Sequence, residues 1–331
     1  MREEQPHEKG AMPVISVVIP SRQRPTLLVA AIQSVLLQER DDLELIVVLD
    51  DDTTGSAEAV RQAFPNEGCL RILENAERMG GSAARNRGVE AARGQWIAFL
   101  DDDDTWLPGK LDKQMPLALQ SRYPEPVVTG QLRVNGGSGF LVCPSERPTR
   151  PISEYLFVRK GLFDGPGLVD SSTTLAPRSL LLRVRFSEGV VKHESSDWAL
   201  RAGQEPTVGF EFVAEPVAIY NCEPGRTRMT ESEGWRYSLA WARSRAALMT
   251  PKAYAGFLLS HVNSAAIRER DWRAAFPIFI EAIRRGPPSA IDFLRALYAW
   301  GPKLRIGSFV RKWLYGRSER SRPGKAPSGL R

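Results

Sequence analysis

Cysteine is scarce in this chain of 331 residues: Cys69, Cys143 and Cys222 are odd in number and far apart. That excludes a disulfide framework and a clustered thiolate metal site, and it fits a reducing compartment. No apolar run approaches the ~20 residues of a membrane-spanning helix. The opening stretch, MREEQPHEKGAMP, is polar and lacks an apolar core, so no secretory leader is expected. No short-period repeat is present. Net charge is nearly missing from most of the chain. Nine Lys or Arg and one Glu lie from Gly301 onward, which leaves 36 basic and 38 acidic residues over Met1–Trp300. The formal charge of +6 therefore belongs to a basic tail on a near-neutral body. With 42% apolar and 25% charged residues the body is globular, long enough for one large domain or two ordinary ones.

What is present is an alternation. The runs VISVVI (14–19), LELIVVL (43–49), LRIL (70–73) and GQWIAFL (94–100) predict buried strands. Between the first two, Leu27, Leu28, Ala31, Ile32, Val35 and Leu36 fall at helical spacing behind Pro25. SAEAVRQAF and GGSAARNRGVEAA predict the next two helices. Strand and helix in turn predict a parallel sheet covered on both faces. Such sheets gather ligands beyond the carboxyl ends of their strands. The loops PSRQR, DDDTT and DDDD follow the first, second and fourth strands and are expected to share one edge.

Beyond Pro108 the pattern loosens. LDKQMPLALQ reads as helix, PVVTGQLRV and GFLVC as strands about the turn NGGSG, and CPSERPTRP as a surface loop. DSSTTLAPRSLLLR reads as a strand entering a helix, and VGFEFV and PVAIY as two later strands. From Trp235 to Tyr315 the pattern is helical, with breaks expected at Pro251, Gly286-Pro287-Pro288 and Gly301-Pro302.

Four consecutive carboxylates, Asp101–Asp104, crowd the end of an apolar strand. Like charges a few ångströms apart repel by about 1 kcal/mol even in water, so something must offset them. A hard divalent cation takes one or two carboxylates and completes its shell with phosphate oxygens and water. The alternative is a solvated acidic turn capping a helix; the second cluster, Asp50-Asp51-Asp52, on the same expected edge favours a site. Arg85 and Arg87 suit phosphate or a base edge, or Arg85 pairs with an aspartate.

These residues resemble a family. SVVIPSRQRPTLLVAAIQSVLLQ, ELIVVLDDDTTGSAEAV, RMGGSAARNRGVEAARGQWIAFLDDDDTWLPGKLDKQ and SSDWAL are similar, in order and spacing, to the motifs of glycosyltransferase family 2. The resemblance is strong over about residues 14–115 and weaker to about 230. It implies an α/β fold of GT-A type: a Rossmann-like, mostly parallel sheet with helices on both faces, here followed by a C-terminal helical extension. It implies a metal-dependent inverting transfer from a nucleotide-diphosphate sugar, a UDP-sugar foremost, to an acceptor hydroxyl, lipid-linked acceptors included, in polysaccharide or glycolipid assembly. Pro20, Ser21 and Arg22 would line the nucleotide site, Asp50 would contact the base with Asp51 beside it, and Arg85 would lie near the nucleotide. Asp101 to Asp103 match the family's Asp-x-Asp. Asp103 would be the main ligand to Mn²⁺ or Mg²⁺, and Asp101 or Asp102 would approach the ribose and the metal. Asp52-Thr53 stands in the place where the family usually shows Asp-Gly-Ser after the second strand. Asp197, before Trp198, aligns with the family's catalytic base. The Glu that usually precedes the base is replaced by Ser196; Glu194, three positions upstream of Asp197, is no simple substitute. Asp197 could equally cap a helix. His193 reads as a surface or structural residue.

The expected organisation is a polar segment (1–13), a transferase domain (14–230) with a nucleotide half (14–115) and an acceptor half (116–230), a helical extension (231–315) and a basic, disordered tail (316–331). In the tail region Ile306, Phe309, Val310 and Trp313 make an apolar stripe flanked by Lys303, Arg305, Arg311 and Lys312. Such a helix can lie on an anionic membrane surface, which would make residues 301–331 a peripheral anchor on the inner face of the cell membrane of a cytoplasmic enzyme. It can also pack on the body. Charge without a base-reading module does not point to nucleic acid. A nucleotidyltransferase would want a glycine-rich phosphate loop that PSRQRP lacks, and a non-catalytic binding or scaffold protein is the rival that Ser196 permits.

Overall fold

Strands β1 (Ile15–Ser21) and β2 (Leu43–Asp50) are buried at every position, as strands covered on both faces must be. The computed structural model describes residues 13–136, 139–149, 151–161, 167–221 and 234–304. β1 pairs in parallel with β2 and with β4 (Trp96–Phe99), and β2 in parallel with β3 (Leu70–Asn75). Side chains alternate across this sheet with period two. Val17, Ile19, Leu45 and Val47 share a core with Leu28 and Ile32 of α1 (Pro25–Leu36) and Val60 of α2 (Ser56–Ala63). Val18, Ile46 and Val48 face Ala84 and Val89 of α3 (Gly81–Ala91) on the other side. The approach of α3 is close: a Cβ on Gly88 would sit 2.3 Å from a Val18 methyl. The carboxyl ends of β1, β2 and β4 therefore share one edge.

After β4 the sheet turns mixed. Among the described residues it has nine strands, ordered β3-β2-β1-β4-β8-β6-β9-β5, with β7 on β6. Here β5 is Asp104–Trp106, β6 Glu125–Gly136, β7 Gly139–Cys143, β8 Leu175–Pro177 and β9 Val208–Asn221. The two strands expected at VGFEFV and PVAIY are one long strand, β9, whose register against β6 slips around Pro216. Proline cannot donate to a ladder, so it marks the irregularity and does not end the strand. β5 and the short helix α5 (Ile152–Phe157) were not legible in the pattern. Helices α4 (Lys110–Leu119), α6 (Arg178–Arg183) and α7 (Glu194–Ala202) complete this part.

The remaining helices are α8 (Trp235–Ser244), α9 (Pro251–Phe257), α10 (Ser264–Arg268), α11 (Trp272–Arg285) and α12 (Ala290–Leu304). A wider π-type turn, Leu258–Asn263, joins α9 to α10. Thr250 and Asp271 cap α9 and α11 by accepting from Ala253 and Ala274 backbone N–H. Pro251 opens a helix and Gly286-Pro287-Pro288 separates two, as expected; at Gly301-Pro302 the backbone stays helical to Leu304. These helices share one continuous core with α3, α5, α6 and α7. No described helix is long and apolar enough to cross a membrane. The 306–313 stripe lies outside the described residues.

Where α7 meets α8 and α9, two histidines are half-buried. His193 lies against Trp241 at 4.7 Å between ring centroids, and His261 stacks on Phe257 at 4.8 Å. Burial, then the charges of His261 and Lys192, push His193 down to about 3, against the pull of Asp197. Burial, then Arg159, Lys192 and Arg268, push His261 down to about 4. Both folded values lie below the unfolded value of about 6.5, so the unfolded chain binds more protons once pH falls below it. Their contribution is complete above pH ~6.5 and is lost as pH falls through the folded values, at up to about 1.4 kcal/mol per pH unit per ring. Urea unfolding between pH 7 and 5 should show wild type losing stability relative to His193→Gln/His261→Gln; the comparison cancels carboxylates titrating in the same window. Parallel curves would mean that the rings are not held neutral.

Candidate active site

The edge at the carboxyl ends of β1, β2 and β4 gathers the acidic loops as the topology requires. Ser21 Oγ donates to Asp102 Oδ2 at 2.8 Å, and the Arg22 N–H donates to the same oxygen at 3.4 Å. Arg24 Nη1 donates to Asp102 Oδ1 at 2.9 Å and to Asp103 Oδ2 at 3.2 Å. Arg22 Nη2 reaches Asp51 Oδ2 at 3.5 Å. Gln23 Nε2 donates to Asp51 O and Thr53 Oγ1. Gln23 and Asp51 both have positive φ, 57° and 58°, a conformation that costs a non-glycine residue energy and recurs at ligand sites. The three loops are thus tied side by side.

The four acids of DDDD do not share one role. Asp102 and Asp104 are 5% and 2% exposed; the Asp101 and Asp103 side chains are 29% and 20% exposed. Asp102 is a tie between loops, with its carboxyl raised by burial against the charge of Arg24. Asp101 accepts from Arg85 Nη2 at 2.6 Å and Ser171 Oγ at 3.0 Å. Asp104 Oδ2 accepts from Ser172 Oγ at 2.7 Å, while its Oδ1 is buried without a partner. Burial and the nearby Asp170, Asp101 and Asp103 raise Asp104 well above the usual carboxylate range. Asp170, burdened by burial and then by Asp101, is pushed up to about 7.

Two expectations need correction here. The Asp50 carboxylate does not face the opening: it is 4% exposed and accepts from Asn75 Nδ2 and from the backbone N–H of Met79 and Gly80 at 2.8–3.1 Å. It fastens the loop that starts α3, and Asp51 is the carboxylate that opens outward. Pro20 is interior to β1 and buried, so it shapes the strand end and does not line the opening.

A third correction concerns α7. Asp197 is 0% exposed. Its Oδ2 accepts from Ser187 Oγ (2.7 Å) and Arg201 Nε (2.9 Å), its Oδ1 from Trp241 Nε1 (3.1 Å) and Arg245 Nε (2.6 Å). Burial alone would raise this carboxyl; bonds from Ser187, Arg245 and Arg201 hold it below the usual range. A carboxylate with four donors and no open surface cannot take a proton from an incoming hydroxyl. It is a structural pin between α7 and α8. The α7 carboxylate that joins the acidic edge is Glu194, at the helix start. It accepts from Ser82 Oγ at 2.8 Å and lies 3.5 Å from Arg85 Nη1. Arg85, nearly buried, loses by desolvation but is held charged by Asp101 and Glu194, which it bridges.

Arg24, Asp170, Ser171 and Ser172 escaped the sequence reading, and Glu194 enters it only as no simple substitute for the acid replaced by Ser196. The first sits two positions past Arg22 in the quoted loop. The others reach the edge only through contacts 66 to 112 residues long in sequence, and no local spacing announces them.

Six carboxylates (Asp101, Asp102, Asp103, Asp104, Asp170 and Glu194) meet two guanidinia (Arg24 and Arg85) within this cluster. The excess of negative charge and the partnerless Asp104 oxygen fit a hard divalent cation. No trio of His, Cys, Asp or Glu among the described residues forms a ready cage. A cation that keeps water and phosphate oxygens needs only one or two carboxylates, and Asp101 and Asp103 are the two with open surface.

Residues 16–179 match the model of the family described as Glycosyl transferase family 2. The amylovoran biosynthesis glycosyltransferase AmsB of Erwinia amylovora is 26% identical over 238 residues, which is 68% of this chain and 75% of that protein. The UDP-Glc:alpha-D-GlcNAc-diphosphoundecaprenol beta-1,3-glucosyltransferase WfgD of Escherichia coli is 32% identical over 108 residues, 33% of this chain and 42% of that one. Among solved structures, S. aureus TarS 1–349 in complex with UDP-GlcNAc superposes with a TM-score of 0.61 at 16% identity, covering 82% of this chain and 81% of the other. The mannosyltransferase PcManGT of Pyrobaculum calidifontis, in complex with GDP-Man and Mn²⁺, gives 0.51 at 19% identity over 94% and 81%. At these identities the structural likeness is one of fold.

Proposed function

This chain belongs to glycosyltransferase family 2 through residues 16–179 and has the GT-A fold, and from that premise we propose that it moves a sugar from a nucleotide-diphosphate donor, with UDP as the nucleotide, to an acceptor hydroxyl with inversion. The observation that carries the reading is the convergence of Asp51, Asp101 and Asp103 from two separate strand ends, tied through Arg22 and Arg24. Arg22 and Asp51 border the base, and Ser21 and Asp102 hold the loops in register. Asp103, with Asp101, would hold Mn²⁺ or Mg²⁺; the bound cation supplies positive charge against the departing diphosphate. Glu194 receives the proton of the attacking hydroxyl, which approaches from the face opposite the leaving group. Residues 14–115 act as the nucleotide half and 116–230 as the acceptor half. The names of WfgD and TarS's ligand support a UDP-sugar, and that of WfgD supports a lipid-linked acceptor in polysaccharide or glycolipid assembly. Such an acceptor suits an enzyme held peripherally on the inner face of the cell membrane through residues 301–331.

The test is a panel of nucleotide sugars assayed for turnover with Mn²⁺, alongside isothermal titration of UDP. Wild type should consume at least one UDP-sugar and bind UDP more tightly with Mn²⁺ than without. Asp103→Asn should keep the metal-free UDP affinity and lose the Mn²⁺ enhancement. Metal-dependent UDP binding with turnover of no donor would leave the chain a binding module.

A further inference from the structure

The outward face of α11 presents large apolar groups to solvent. Phe276 is 58% exposed and Ile283 40%, and Pro277 and Ile280 lie on the same turns. Phe276, Pro277, Ile280, Glu281, Arg284 and Arg285 line a shallow hollow of about 580 Å³. Exposed arginines, Arg273, Arg284 and Arg285, rim this face. The acids nearby are engaged: Glu281 accepts from Arg243 and Tyr254, and Asp271 caps α11 and pairs with Arg236. Scattered exposed hydrophobes need no explanation, but a contiguous apolar face with a rim of one charge sign does.

The path of the chain adds a second observation. Trp300, near the end of α12, packs on Trp272, Phe276 and Phe279 of α11. The described helix ends at Leu304, one turn past Trp300. The 27 residues that follow, 305–331, carry eight Lys or Arg and one Glu.

We propose that this face of α11 is a bilayer-docking surface for anionic lipid. Phe276, Pro277, Ile280 and Ile283 enter the headgroup boundary while Arg273, Arg284 and Arg285 meet lipid phosphates. By charge the basic segment is the wrong occupant for this face, since it would set eight cations against the arginine rim. A second copy would oppose one rim with another. An anionic surface satisfies both at once. The proposal deepens the membrane reading of residues 301–331 given above, and its test separates the two.

The experiment is flotation of the full chain with phosphatidylcholine vesicles, with and without phosphatidylglycerol. Wild type should float with the anionic vesicles only. Phe276→Ser/Ile283→Ser should weaken binding at least about ten-fold, from the apolar area no longer buried. Arg273→Glu/Arg284→Glu, which leaves the apolar packing intact, should weaken it by about five-fold or more per position. UDP affinity should be unchanged in both. Loss of flotation on Arg311→Gln/Lys312→Gln, with both face variants still floating as wild type, would overturn the α11 surface and keep the tail as sole anchor. Absence of flotation by wild type would overturn both. A dimer by sedimentation velocity that only the face variants dissociate would make the face a contact between copies and overturn the proposal.

Discussion

Replacing Glu194 with Gln is expected to lower kcat by about 10²–10⁴-fold, the range for removing a general base, while UDP binding stays as in wild type. Glutamine keeps an acceptor for Ser82 Oγ, whose bond to Glu194 is 2.8 Å, so the start of α7 should hold its place. What disappears is the capacity to take a proton. The acid limb of the kcat–pH profile should vanish with it, a signature that a merely structural glutamate would not produce. A variant with wild-type kcat would place proton acceptance elsewhere.

Asp197→Asn is the contrasting case. An asparagine offers one acceptor where Arg201, Arg245, Trp241 and Ser187 now share two oxygens, and its amide adds a donor among donors. Breaking a buried ion pair by removing one partner costs about 3–5 kcal/mol where the remaining charge stays buried; Arg201 and Arg245 are 26% and 27% exposed, so the lower end, about 3 kcal/mol, is expected. Against a net stability of about 5–15 kcal/mol that is a large fraction. The variant should unfold at much lower urea, and its activity should fall only as its folded fraction falls. An Asp197→Asn protein with wild-type stability and no turnover would return the base to this residue.

These two carboxylates show where sequence reading stops. Glu194 and Asp197 are three residues apart on one helix, and both are acidic in its first turn. Their roles are divided by Trp241 and Arg245, more than forty residues later, which close over Asp197. Asp50 and Asp51 divide in the same way: the backbone at Met79 and Gly80 claims the first, and the second is left outward. By contrast, the buried runs of β1 and β2 and the helical spacing of α1 sufficed for the parallel half of the sheet. The rule that ligands gather at strand carboxyl ends then sufficed for the edge. Local pattern carries what depends on local periodicity. Partner choice depends on tertiary contacts that no window of sequence contains. β9 illustrates the same limit, since Pro216 reads as a strand end and is a slip within one strand.

The inward and outward division of Asp101–Asp104 has a consequence for the run as a whole. A string of four identical acids invites the view that any of them can deputise for a lost neighbour. Here each has its own set of partners: Arg85 and Ser171 for Asp101, Ser21 and Arg24 for Asp102, Arg24 for Asp103, and Ser172 for Asp104. Sliding the string by a single residue would bury the two that face outward and expose the two that fasten the loops. Its length is therefore no reserve of spare ligands, and a one-residue deletion inside it would be as damaging as if the four had been four different amino acids.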